Sequence, residues 1–152
     1  MAFKFKIQKN PVKIPLPPRP QIESDSEPEQ LMGQVQGMKA SAPEERLARA
    51  LDKANLQYIF RYTVGAPRGL PGWKELDFVI MAHGLVYTQE VDTAFTHRDK
   101  AQSDILHDAI IQNDVELHSM GEMWPEVFHA DGDTQLADNK SAENYVRQRF
   151  GK

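Results

Sequence analysis

The chain has no cysteine in its 152 residues, which excludes disulfides, cysteine-based zinc sites and thiol nucleophiles. It lacks any apolar run approaching the roughly 18 residues that a membrane-crossing helix needs. The lysines near the N-terminus are not followed by an apolar segment, so no secretory signal is expected. Acid is missing from residues 1–19, which carry Lys4, Lys6, Lys9, Lys13 and Arg19. Base is missing from residues 23–29, which carry Glu23, Asp25, Glu27 and Glu29. Internal repeats are absent too. A cytoplasmic protein with no membrane partner is the expectation.

What is present suits one domain with an appendage: 40% of residues are hydrophobic and 26% charged, enough for a modest core. The net charge is −4, but residues 41–152 hold twelve Lys and Arg against eighteen Asp and Glu. A duplex-binding surface is usually basic, because affinity comes from neutralising phosphates. The acidic balance therefore weighs against strong nucleic-acid binding.

Residues 1–40 differ in character from the rest. Seven of the ten prolines lie within residues 1–43, and IPLPPRP (14–20) favours extended polyproline II. MAFKFKIQK alternates apolar and basic residues, as an added edge strand or a free basic tail would. The acidic SDSEPEQ and the Gly33/Gly37 stretch read as linker. The expectation is an extended proline-rich arm and linker over 1–40, with a protein partner for the arm, and an α/β domain over 41–152.

SAPE at 41–44 is a capping box, with Ser41 as N-cap and Glu44 three residues on, and it opens a helix over 42–54. LQYIFRYTV (56–64) reads as a strand and GAPRGLPG (65–72) as a loop. LDFVIM and LVYTQEV form two strands joined at His83–Gly84. A helix follows from Arg98 to Asn113, then VELHSM (115–120) as a short strand. MWPEVF has no clear assignment, DGDT (131–134) is a turn, and SAENYVRQRF (141–150) is a closing helix. The fold class is α/β, a mixed central sheet of about four strands flanked by helices.

Asp77, Glu90 and Asp92 sit inside strand-like segments, where acids are poor formers and are rarely buried unless paired or metal-bound. Across one hairpin, Asp77 and Glu90 can reach the same end of adjacent strands, and Glu90 and Asp92 share a face. Converging carboxylates would suit Mg²⁺, which takes oxygen ligands and keeps several waters; a solvated sheet edge would look the same in sequence. Glu44 is accounted for by capping. His83 reads as a solvated turn residue, His107 as a surface pair with Asp104, His118 as a solvent-facing strand residue, and His129 suggests nothing. Trp73 and Trp124 suit core or lid packing. Lys74, Arg61, Arg68, Arg98 and Lys100 could gather near the acids or spread over the surface.

In order, these segments resemble the PD-(D/E)XK nuclease superfamily, and within it the very-short-patch-repair (Vsr-like) endonuclease domains. SAPEERLARAL resembles the family's first helix and NLQYIFRY its next strand. LPG (70–72) with DFVI (77–80) resembles its LPG-x-PDFV segment. VDTAFTH (91–97) resembles its VDG-x-F-x-H segment at Val91, Asp92, Phe95 and His97. The likeness spans 41–120 and implies a restriction-endonuclease-like fold with Mg²⁺ or Mn²⁺. It implies Asp77 as the central metal ligand and Glu90 as the second, with Glu44 on the metal or its water. Asp92 falls where the motif usually has lysine, and His97 would pass protons or bind phosphate. The sequence departs from the family at Leu76, Thr93 and Arg98–Asp99, and without cysteine it has no bacterial Vsr zinc site.

Two functions follow from this reading. One is a metal-dependent DNA endonuclease. The other is an inactive nuclease-like scaffold, an adaptor anchored by its arm in a larger assembly such as a phage particle or its packaging machinery. A bacterial or phage-encoded origin suits both, and the second would place the protein on a virion.

Overall fold

The computed structural model describes residues 30–66, 69–93 and 101–151, with the side chains of 101–106 excepted. Arm residues 1–29, Arg68, Phe95, His97, Arg98, Asp99 and Lys100 therefore lie outside the described residues, as does the Asp104 side chain.

The Gly33/Gly37 stretch, expected as linker, is instead a small hairpin of β1 (Gln34–Val35) and β2 (Met38–Lys39). Gln36 at its turn has a φ of 50°, and its side-chain amide accepts from Phe60 N (3.0 Å) and donates to Tyr58 O (3.0 Å). One side chain thus occupies part of an exposed strand edge. Val35 is buried, and the Glu45 carboxylate accepts from Met32 N (2.8 Å) and Gly33 N (2.7 Å). A linker reading rests on glycine content alone; the buried anion that recruits two backbone donors is a tertiary feature. Replacing Glu45 by Ala should strand those N–H groups, lower stability by about 2 kcal/mol, and expose residues 30–40 to limited proteolysis. Unchanged cleavage kinetics in that segment would show that the hairpin docks without it.

Helix α1 (Ala42–Lys53) begins at the expected capping box: Glu44 N donates to Ser41 Oγ (3.3 Å) and Ser41 N to Glu44 Oε1 (2.9 Å). It ends in a Schellman arrangement around Asn55 (φ 62°), with Leu56 N bonded to Leu51 O and Asn55 N to Asp52 O. Strands β3 (Gln57–Val64), β4 (Lys74–Ala82) and β5 (Leu85–Asp92) then pair antiparallel in sequence order. The β4–β5 turn is His83–Gly84, both at positive φ (53° and 80°), which matches the right-handed twist of a two-residue hairpin.

Helix α2 (Ala101–Gln112) leads to α3 (Val115–Met120), where a strand was expected. Asp114 decides it: its carboxylate caps the segment by accepting from Leu117 N (3.0 Å), while Val115 stays 81% exposed. The fourth sheet strand is β6 (Glu122–Asp131), which takes in the unassigned MWPEVF and lies parallel to β5 at the sheet edge. Between the pairs Val86–Met123 and Thr88–Val127, β6 has more residues than β5. Pro125 sits in that bulge, where a missing N–H removes no ladder bond. Helix α4 (Asn139–Phe150) closes the fold, capped by Asp138.

The sheet order β3-β4-β5-β6 is that of a mixed α/β domain with helices on both faces. On one face Phe60, Phe78, Ile80 and Tyr87 pack against Leu47 and Leu51 of α1 and Tyr145 and Phe150 of α4. On the other, Val64, Leu76, Val79 and Val86 meet Ile111 of α2 and Leu117 of α3. Gln89 is fully buried but satisfied, accepting from Tyr145 Oη (3.0 Å) and donating to Glu90 O (2.9 Å). Trp124 stacks on Tyr87 with ring centroids 5.6 Å apart, so it belongs to the packed face. Among the described residues no helix is long and apolar enough to cross a membrane.

Candidate active site

The β4–β5 ladder runs from Ala82–Leu85 to Phe78–Gln89 and stops. The next residues along are Asp77 and Glu90, and there side chains replace the ladder. Val91 N donates to Asp77 Oδ2 (2.8 Å), and Asp77 N makes a longer bond to Glu90 Oε2 (3.4 Å). Each carboxylate thus reaches across to the other strand's backbone, and the two meet in the fork where the strands part. On its other side, the β3–β4 pairing skips Arg61 and Asp77, and Arg61 holds a left-handed φ of 61°. The same irregularity switches the alternation, so that Leu76 and Phe78 lie on opposite faces of the sheet.

The fork is electrostatically crowded. Glu90 is buried (8% exposed) and Asp77 half-buried. Removal from water drives the proton affinity of both carboxyls well above the ordinary range. Neighbouring negative charge adds to this, from Glu44 and Asp92 at Asp77, and from Asp77, Asp92 and Asp108 at Glu90. The backbone bond from Val91 and the Arg61 charge oppose the rise at Asp77 only in part.

Glu44 is near enough for its charge to reach Asp77, yet its carboxylate already closes the capping box and lies 4.0 Å from Arg61 Nη2. Arg61 is the one cation of the expected group that the described residues place here. It donates to Glu75 Oε1 (2.8 Å) and to Lys39 O (3.2 and 3.3 Å), and so joins β3, β4 and the β1–β2 hairpin. Asp92 shares a strand face with Glu90, as the alternation predicts. Its Oδ2 is held by His129 Nδ1 (2.8 Å), whose Nε2 faces Asp108 Oδ2 (3.0 Å). The hydrogen bond to Asp92, with Asp108 beyond, lifts the His129 pKa to about 9, although burial opposes it. The ring is therefore charged at neutral pH. Gly132 N donates to Asp92 O (2.5 Å), and a Cβ at Gly132 would stand 3.1 Å from that oxygen, so the turn after β6 closes tightly on the end of β5.

Asp108 and His129 are the residues that sequence reasoning missed. Asp108 and Gln112 are one helical turn apart on α2, and Gln112 Nε2 reaches Thr88 Oγ1 (3.5 Å), so this stripe of α2 faces β5. His129 pairs in register with Glu90, a relation hidden until β6 is recognised as a strand. Two other histidines depart from expectation. His83 is not simply solvated: its Nε2 lies 2.6 Å from Phe150 O and ties the hairpin turn to the end of α4. His118 belongs to helix α3, with Nε2 2.7 Å from Gln112 O.

Among the described residues, no group of three or more His, Asp or Glu side chains is arranged to hold a metal ion. A hard cation at the fork would rest on the two carboxylates Asp77 and Glu90 and otherwise on water. That donor set fits Mg²⁺, which commonly binds one or two carboxylates and retains a partial hydration shell. A 470 Å³ cavity at the opposite end of the hairpin, with Leu56, Val146 and Phe150 in its walls, has a single carboxylate, Glu143, and that one is paired with Lys53 (3.1 Å), so no acids converge there.

The architecture and the fork together define a mixed α/β domain that concentrates buried acid where its central hairpin opens. Comparison with protein-family models, with curated proteins and with solved structures gives no match.

Proposed function

We propose that Asp77 and Glu90 bind Mg²⁺ or Mn²⁺ and that the domain is a DNA endonuclease, a Vsr-like member of the PD-(D/E)XK superfamily with a restriction-endonuclease-like fold. The observation that carries this reading is the carboxylate fork. Two acids whose ionised forms are disfavoured by burial and by each other are compensated only in part by Arg61, and a divalent ion would supply the rest. Support also comes from the element order, a helix, three antiparallel strands, a helical crossover and a parallel strand.

Bound there, the ion would polarise the scissile phosphate and lower the pKa of an attacking water. Asp77 and Glu90 hold their carboxylates toward the fork through the backbone bonds described above. Glu44, fixed at the start of α1, would contact the ion or a water bound to it. Arg61 favours the ionised form of Asp77 and sits at the β3–β4 irregularity. His97 would assign proton transfer to the segment after β5.

Incubation of the full chain with supercoiled, linear and mismatched DNA should give nicking that requires Mg²⁺ or Mn²⁺, and calorimetry should give divalent-ion binding. Absence of both would overturn the proposal. The adaptor reading would then stand, favoured by the docked hairpin: Glu45 fixes where the N-terminal arm leaves the domain, as suits an anchor in a larger assembly.

A further inference from the structure

The β1–β2 hairpin reaches the fork through Arg61. Lys39, the last residue of β2, presents its carbonyl to Arg61, which donates to it from Nε (3.3 Å) and Nη2 (3.2 Å). The hairpin is fastened to the domain at two further points, the Gln36 amide on β3 and the Glu45 carboxylate on Met32 N and Gly33 N, and its Val35 is buried. The Lys39 carbonyl is therefore a fixed anchor and not a frayed end. Arg61 also donates from Nη1 to Glu75 Oε1 (2.8 Å), and its Nη2 lies 4.0 Å from Glu44 Oε1.

Register sets Arg61 against Asp77. The flanking pairs Phe60–Phe78 and Tyr62–Leu76 place the two residues opposite each other across the broken ladder. An arginine and a carboxylate so opposed ordinarily attract, and their preferred contact is a charge-assisted, often two-pronged pair. Here the guanidinium directs its donors to Lys39 O and Glu75, and none of these bonds goes to Asp77.

We infer that the β1–β2 hairpin, through the Lys39 carbonyl, holds Arg61 off Asp77 and so keeps the Asp77 carboxylate open to a divalent ion. The inference rests on the metal-binding reading above. Lys39 and Arg61 are positioning residues here: neither contacts the ion, and together they set whether Asp77 is free to do so. Held back, Arg61 favours the ionised Asp77 without taking its oxygens. Released from Lys39 O, the guanidinium closes on Asp77, and an incoming ion must displace it. The root of the N-terminal arm is thereby coupled to the fork.

Calorimetric titration of the full chain with Mn²⁺, arranged as a double-mutant cycle, tests this. Glu45→Ala, which loosens the hairpin, should weaken Mn²⁺ binding about tenfold, the worth of one charge-assisted hydrogen bond that the ion must displace. In the Arg61→Gln background the same Glu45→Ala change should leave the affinity where it is, because no guanidinium remains to close on Asp77. Gln36→Gly removes the amide bonds to β3 and suits the positive φ of that turn, and it should act as Glu45→Ala does. In the metal-free wild type, nitrogen-15 NMR should show the Arg61 Nε–H protected from solvent exchange, a measurement that needs no variant. An affinity unchanged in both hairpin variants, a loss that persists without Arg61, or an Arg61 Nε–H that exchanges freely in the wild type would each overturn the inference while leaving the metal reading intact. No ion bound by the wild type would remove the metal reading, and the NMR result would still decide whether the hairpin holds Arg61.

Discussion

Asp77→Asn and Glu90→Gln should each make the metal-free domain more stable at neutral pH, by about 2 kcal/mol or more, roughly 5–10 °C in Tm. The amide oxygens can still accept the bonds that Val91 N and Asp77 N donate in the fork, so the substitutions remove charge with little loss of hydrogen bonding. What they relieve is the cost of burying two carboxyls that are ionised in the unfolded chain and that must, once folded, either take up a proton or hold their charge out of water. The pH dependence follows in sign. Both carboxyls bind protons more tightly folded than unfolded, so the folded state carries more protons from the ordinary carboxylate range, near about pH 4, upward through neutrality. Stability of the metal-free wild type should fall as pH rises through that window, and the double variant should lose much of the slope. Saturating Mg²⁺ should raise the Tm of the wild type and leave the variants unmoved. Denaturation curves at several pH values check this. Variants less stable than wild type near neutrality would mean that the fork is not charge-strained.

The same Asp77→Asn change should reduce metal-dependent nicking by about 10³-fold or more, since the ion's stabilisation of developing charge is worth several kcal/mol and each 1.36 kcal/mol is tenfold in rate. A gain in stability joined to a loss of activity distinguishes a functional carboxylate from a structural one, which would lose stability when changed. Nicking that survives Asp77→Asn at the wild-type rate would remove Asp77 from the reaction. Single-turnover rates at saturating protein separate this loss from weaker DNA binding.

Local chemistry was legible without coordinates wherever a signal and its consequence lie within a few residues. Ser41 and Glu44 satisfy each other's backbone across one helical turn, so the start of α1 could be read directly. His83–Gly84 between two apolar alternating runs gave the hairpin turn, and the spacing across it suggested that Asp77 and Glu90 meet. Pro125 hid β6, because proline argues against a strand unless a bulge at an edge receives it. VELHSM alternates like a strand, yet the cap from Asp114 turns it into a helix.

The sequence by itself determined the α/β order of most elements, the capped first helix, the central hairpin and the acids at its open end, because each depends on contacts within one element or one turn. Tertiary structure alone decided that Glu45 docks the β1–β2 hairpin, that Arg61 breaks the ladder beside Asp77, and that His129 bridges Asp92 to Asp108. Those relations join residues far apart in the chain through sheet register and helix packing. No local pattern encodes them, since the partners become neighbours only when the core has closed.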